Sequence, residues 1–176
     1  ALRRGVTVKV GGEADLFHWH RLYLETADRA GIAAESLDYF RELFAAARRH
    51  DPELTLYLAH HGGELVAGSV IAFVDDTAYY LFSASSPAGR VCFATFAVVW
   101  RAMLDSRQRG CRTFDLMGIP PDDRPDHPMH GLYRFKTRFG GRVHRRRGCW
   151  DYTFDEELYP ALAFCGAGRD AFHRRR

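Results

Sequence analysis

The chain has 176 residues, 47% of them hydrophobic, enough for one good core, so a single domain over residues 1–176 is expected. Its formal net charge of +3 is small but unevenly placed, and a local basic face binds phosphate without a strongly basic protein. No apolar run approaches ~20 residues and the N-terminus lacks a signal-peptide stretch, so neither a membrane span nor export is expected and the compartment expected is the cytoplasm.

Residues 6–10 alternate as a short opening strand that Gly11-Gly12 ends. Leu16, His20, Tyr23, Leu24 and Ala27 recur at helical spacing up to Gly31, and Ser36 is the N-cap expected for a second helix through Arg49. Leu54, Leu56 and Leu58 alternate with polar or small residues, and a turn over 61–64 leads into a longer apolar run over 65–74, a hairpin. Asp75-Asp76-Thr77 turns again into a strand over 78–84, and residues 85–89 break the pattern. One long helix is expected over 91–109, with Phe96, Val99, Trp100, Met103 and Leu104 facing the sheet and Gly110 as its stop. A strand over 112–117, a Pro- and Asp-rich loop over 118–128, a strand over 143–154 and a short helix over 159–164 complete the order. The whole is similar to an α/β sandwich of the acyl-CoA N-acyltransferase (GNAT) type, with a mixed central sheet flanked by helices. Cys92, Cys111, Cys149 and Cys165 lie far apart with no C-x-x-C pair, as expected of free thiols in a reducing cytosol. The nine histidines show no ligand spacing, so no metal is expected.

The most informative stretch is 131–147, GLYRFKTRFGGRVHRRR, with seven Lys/Arg in seventeen residues and no acid. Leu132, Phe135 and Phe139 mark one apolar face of a short helix that Gly140-Gly141 stops. Lys136 lies beside that face, and apart from Lys9 it is the only lysine in a chain that otherwise uses arginine. An ammonium there, with arginines following, suits an anionic ligand whose reacting oxygen gains charge. The alternative is a solvated basic helix end.

Three stretches in order resemble the Fem family (FemA, FemB, FemX), the aminoacyl-tRNA-dependent transferases that build peptidoglycan cross-bridges. They are ETADRAGI over 25–32 with Tyr39-Phe40 following, FDLMGI over 114–119, and GLYRFK over 131–136 with Phe139-Gly140. The resemblance covers essentially the whole chain and is to the second of the two GNAT-like domains such enzymes carry. It implies an aminoacyl-tRNA co-substrate and no cofactor, and it places Phe135 and Lys136 at the aminoacyl-ester end of the tRNA. The family's first domain, which contributes much of the groove for the muramyl pentapeptide, has no counterpart here, so a partner domain or chain is one expectation.

An activated ester needs only an amine held against its carbonyl carbon and a stabilised oxyanion. Lys136 is the candidate for that stabilisation, and Asp115 the candidate to order or deprotonate the amine, the alternative being a loop or helix-cap partner. Phe135 is either a stacking surface for the terminal adenine or a core aromatic. Arg142, Arg145, Arg146 and Arg147 are candidates for backbone phosphates of the tRNA. Arg29, Tyr39 and His127 are candidates to face the acceptor, and His127 or His130 to accept the amine proton. The expected acceptor is the amine of a small peptide or peptide-like intermediate of natural-product (antibiotic) biosynthesis, taken by a free-standing enzyme. A peptidoglycan cross-bridge acceptor is the alternative, in a fragment or half of a split enzyme. An acyl-CoA N-acetyltransferase is a rival, but the junction SSPAGRVCFATF has a single glycine and does not spell out a pyrophosphate cradle.

Overall fold

The computed structural model describes residues 1–49, 52–147, 152–154 and 158–160. The chain falls into two compact units, Ala1–Met117 and Gly118–Arg176. In the first, strand β1 (Thr7–Gly11) leads to helices α1 (Glu13–Ala30) and α2 (Leu37–Ala47), then to β2 (Glu53–His61), β3 (Glu64–Val74) and β4 (Thr77–Ser85). Helices α3 (Pro87–Val91) and α4 (Ala94–Gln108) carry the chain back to β5 (Thr113–Asp115). The sheet order is β1-β2-β3-β4-β5, antiparallel except for the parallel pair β4 and β5, so the sheet is mixed as expected.

Local chemistry accounts for these elements. Gly31 closes α1 in the left-handed conformation at φ 64°, and Ser36 starts α2 by accepting the Tyr39 N–H at 3.1 Å, each a standard helix boundary. At the start of α1 the Asp15 carboxylate accepts the Gly12 N–H at 2.9 Å. That hydrogen bond is the main reason its carboxyl is held below the usual carboxylate range.

One face of the sheet packs Leu56, Leu58, Val70 and Ala84 against Leu16, Trp19, Leu22, Tyr23 and Phe40 of α1 and α2. Trp19 is fully buried, and a ring of that size contributes about 5 kcal/mol of transfer free energy. It fits because Gly68 is bare: a Cβ there would stand 2.5 Å from Trp19 Cδ1.

The structure corrects the sequence reading in several places. The helix expected over 91–109 is α4, which starts only at Ala94 because Phe93 takes the left-handed conformation at φ 60°, and the stretch read as a break over 85–89 carries most of a separate short helix, α3. The face of α4 turned inward consists of Ala94, Ala97, Val98, Val99, Ala102 and Ser106, whereas Trp100 is 55% exposed and Leu104 is exposed. Small side chains let the helix lie close to the sheet, and the large ones are turned away. The final strand of this unit is only Thr113–Asp115, since the Asp115 carboxylate accepts the Met117 N–H at 2.6 Å and Met117 turns at φ 63°.

In the second unit the described helix is α5 (His130–Thr137). Among the described residues of the stretch expected as a strand over 143–154, none is in a strand; residues 148–151 lie outside those described. Of the helix expected over 159–164, Tyr159 and Pro160 are helical and the rest lies outside. Cys92 and Cys111 are free thiols, and Cys149 and Cys165 fall outside the described residues.

Candidate active site

In the second unit, α5 carries the candidates. Its C-cap is Arg138, and Gly140 at φ 75° turns the chain beyond it, where the glycine pair was expected to stop it. Lys136 is only 8% exposed, and its Nζ donates to the Gly118 carbonyl at 2.8 Å. An ammonium is rarely buried without compensation, and this hydrogen bond ties the cation to the start of the 118–128 loop. Phe135, one residue earlier, is half-buried and meets Phe139 edge to face with ring centroids 5.4 Å apart. That contact belongs to the core-aromatic alternative for Phe135.

The loop before α5 is organised by its own polar groups. His127 Nδ1 accepts the Met129 N–H at 3.0 Å, and His130 Nδ1 lies 3.2 Å from the Asp123 carboxylate. Arg142, Arg145, Arg146 and Arg147 are all exposed. The Arg145 guanidinium donates to Pro121 O at 3.3 Å, a bond from the basic run back to the same loop.

The remaining candidates lie in the first unit. Asp115 ends β5 opposite Tyr79 and makes the local turn described above. The Arg29 guanidinium donates to Ser85 O at 2.8 Å, and Thr26 Oγ1 accepts the Ser85 N–H at 3.0 Å, so α1 clasps the end of β4. Six residue steps along β4 separate Tyr79 from Ser85, roughly 20 Å at ~3.3 Å per residue, so Asp115 and Arg29 mark opposite ends of that strand. Tyr39, on α2, is exposed and meets Phe40 and Phe82 edge to face.

The junction relevant to a CoA donor begins at α3. Ser86 Oγ accepts the Gly89 N–H at 3.0 Å, so the helix start is capped by its own side chain. Gly89 is needed for contact with β3: a Cβ there would lie 2.1 Å from Val66 O. A cavity of about 330 Å³ opens beside β1, α2 and β2, but its arginines are paired, Arg48 with Glu13 and Arg109 with Glu53. No His, Cys, Asp and Glu cluster able to hold a metal occurs among the described residues, and no described helix is long and apolar enough to cross a membrane.

The mixed sheet flanked by helices is the fold of the GNAT acetyltransferases. The aminoglycoside acetyltransferase AAC(6')-Iy, solved with a bisubstrate analogue, superposes with a TM-score of 0.61 at 11% identity, over 85% of this chain and 99% of that one. FemX superposes with a TM-score of 0.79 at 19% identity, over 92% of this chain and 56% of that one. A family model described as FemAB family matches residues 44–166, and the chain belongs to that family. Among curated relatives, the lipid II:glycine glycyltransferase of Staphylococcus aureus (strain USA300) is 29% identical over 135 residues, 77% of this chain and 30% of that protein. The protein of the same name from Staphylococcus haemolyticus (strain JCSC1435) is 28% identical over 114 residues, 65% of this chain and 27% of that protein. The chain thus spans less than a third of the length of these relatives.

Proposed function

We propose that this chain is an aminoacyltransferase domain that moves an amino acid from aminoacyl-tRNA to the amine of a peptidoglycan-precursor peptide. The named glycyltransferase relatives favour that acceptor over the natural-product amine expected from sequence. The observation that carries the reading is Lys136: a buried ammonium held by the Gly118 carbonyl, inside the FemAB match.

The amine nitrogen attacks the ester carbonyl carbon, a C–N bond forms, and the C–O bond to the tRNA ribose breaks. The amine gives up a proton and the ribose oxygen takes one. Negative charge builds on the carbonyl oxygen in between, and the Lys136 ammonium stabilises it there without having to reorganise. The exposed arginines at 142 and 145–147 neutralise backbone phosphates of the donor. An ester donor is already activated, so the proposed reaction uses no cofactor beyond the aminoacyl-tRNA itself. Asp115, Arg29, Tyr39 and His127 keep the acceptor-side roles proposed for them, with the structural contacts above as the competing account of each.

The test is to incubate the protein with charged total tRNA and either UDP-linked muramyl pentapeptide or a short peptidyl amine, and to follow products by mass spectrometry. The proposal expects one added aminoacyl residue on the muramyl peptide, abolished by ribonuclease. Acetylation of either amine from acetyl-CoA with no tRNA dependence would move the chain to the rival class, and aminoacylation of the short amine alone would restore the natural-product acceptor.

A further inference from the structure

The 118–128 loop and the start of α5 hold two histidines, and the contacts around them separate what each ring can do. His127 Nδ1 accepts the Met129 N–H at 3.0 Å, which commits that lone pair and puts the proton of the neutral ring on Nε2. A ring in that tautomer presents a donor outward and has no lone pair left to take a proton. His130 is arranged the other way round. Its Nδ1 is buried, lies 3.2 Å from Asp123 Oδ1 and has no aligned hydrogen bond. A buried ring nitrogen needs a partner, and an ionised carboxylate only accepts, so the proton belongs on Nδ1 facing Asp123 and the lone pair on Nε2. Asp122, the neighbouring carboxylate, is taken up by Arg124 at 3.2 Å. The His130 side chain is 23% exposed although Nδ1 is covered, so its exposure lies on the rest of the ring, and Nε2 has no hydrogen-bond partner among the described residues.

We infer that His130, oriented by Asp123, carries the proton of the reaction, an assignment that rests on the aminoacyl transfer proposed above. As the amine nitrogen bonds to the ester carbonyl carbon, its proton passes to His130 Nε2, and the Asp123 carboxylate stabilises the imidazolium so formed. As the C–O bond to the ribose breaks, Nε2 gives that proton to the ribose oxygen, and the ring ends neutral as it began. The 3.2 Å approach of Asp123 is one of the contacts that commonly align only with substrate in place. Six residues of helix set His130 and Lys136 ~9 Å apart along α5. A carbonyl oxygen and an amine nitrogen on one tetrahedral carbon, each with a hydrogen bond of ~3 Å, reach across about the same span. One loop fixes both side chains, Lys136 through Gly118 O at 2.8 Å and His130 through Asp123. Of the two histidines expected to accept the amine proton, His130 is therefore the acceptor, and His127 remains a donor.

Single-turnover transfer from charged tRNA to UDP-linked muramyl pentapeptide, with and without added imidazole, tests the assignment. His130→Ala should lose about 10²-fold or more and regain part of that rate with imidazole, whereas Asp123→Asn should lose rate that imidazole does not restore. Thermal melts verify folding, and His130→Gln, which stays polar but is not basic, serves if the alanine variant unfolds. Long-range proton–nitrogen NMR of the wild-type chain gives a reading independent of turnover: His130 Nε2 should resonate as an unprotonated nitrogen and His127 Nε2 as a protonated one. A folded His130 variant that transfers at the wild-type rate overturns the inference and leaves the aminoacyltransferase reading standing. So does a loss in His130→Ala that imidazole does not restore, or rescue of His127→Ala in its place. A neutral His130 ring protonated at Nε2 overturns it whatever the activity. A wild-type chain that shows the expected tautomers but transfers nothing removes the aminoacyl transfer itself, and the inference with it.

Discussion

Replacing Lys136 by Met removes one ammonium from an almost fully buried position while keeping the length of the side chain. Two magnitudes decide what should follow. Among the described contacts the hydrogen bond removed is the one to Gly118 O at 2.8 Å, and Gly118 is exposed, so its carbonyl can turn to water instead of being stranded. Losing that bond costs the net value of a charged hydrogen bond, about 1.5–3 kcal/mol, offset in part by burying an apolar methionine in place of a charge. Loss of a preorganised oxyanion donor costs about 2.7–4 kcal/mol in the transition state, or 10²–10³ in rate. Lys136→Met should accordingly fall by at least ~10² in single-turnover transfer from charged tRNA to muramyl peptide, with a thermal midpoint lowered by only a few degrees. Lys136→Arg, which keeps the charge but changes its shape, should recover part of the rate. A folded Lys136→Met protein that transfers at the wild-type rate refutes the assignment, and a parallel loss of folding and rate would return the lysine to a purely structural role.

Replacing Arg145, Arg146 and Arg147 together by Ala should reduce the log–log salt slope of tRNA binding by about two to three units, at ~0.7–0.9 for each phosphate no longer neutralised; an unchanged slope in a filter-binding titration would make them a solvated face. Gly89→Ala should lower stability by about 3 kcal/mol in a urea titration, because its Cβ meets the Val66 carbonyl at 2.1 Å and backbone cannot yield as a side chain can. Gly131→Ala, whose Cβ meets nothing within 4 Å, should be neutral or slightly stabilising in the same titration. Asp15→Ala should cost about 1 kcal/mol at neutral pH, the usual scale for removing a helix cap. Because the Gly12 N–H lowers the Asp15 pKa in the folded state, its contribution is present above the ordinary carboxylate range and fades as pH falls through that lowered value. The wild-type and variant melting temperatures should therefore converge in acid, and a gap that stays constant with pH would contradict the linkage.

What can be read from this sequence without a structure is whatever depends on near neighbours in the chain. Gly31, Ser36, the Gly62-Gly63 hairpin turn and Gly140 act through backbone conformations and caps a few residues long, so the hairpin, α1, α2 and α5 fall close to where the pattern puts them. The family resemblance was legible for a related reason: FDLMGI and GLYRFK are contiguous strings. The position of Lys136 within its string was visible, but not its burial or the carbonyl eighteen residues earlier that holds it.

Tertiary structure alone decided the face of α4 that meets the sheet. By hydrophobicity Trp100 and Leu104 outrank Ala97 and Ala102, yet the sheet admits the alanines, because close packing of helix on sheet selects for size and leaves the large rings outside. The folded chain likewise turns at Phe93 with neither glycine nor proline there to announce it, and it binds Arg29 to the end of β4. Asp115 closes a turn because Met117 takes a left-handed conformation that no residue type in that string demands. A sequence lists which groups can make a contact, and only the folded chain settles which of them are close enough to do so.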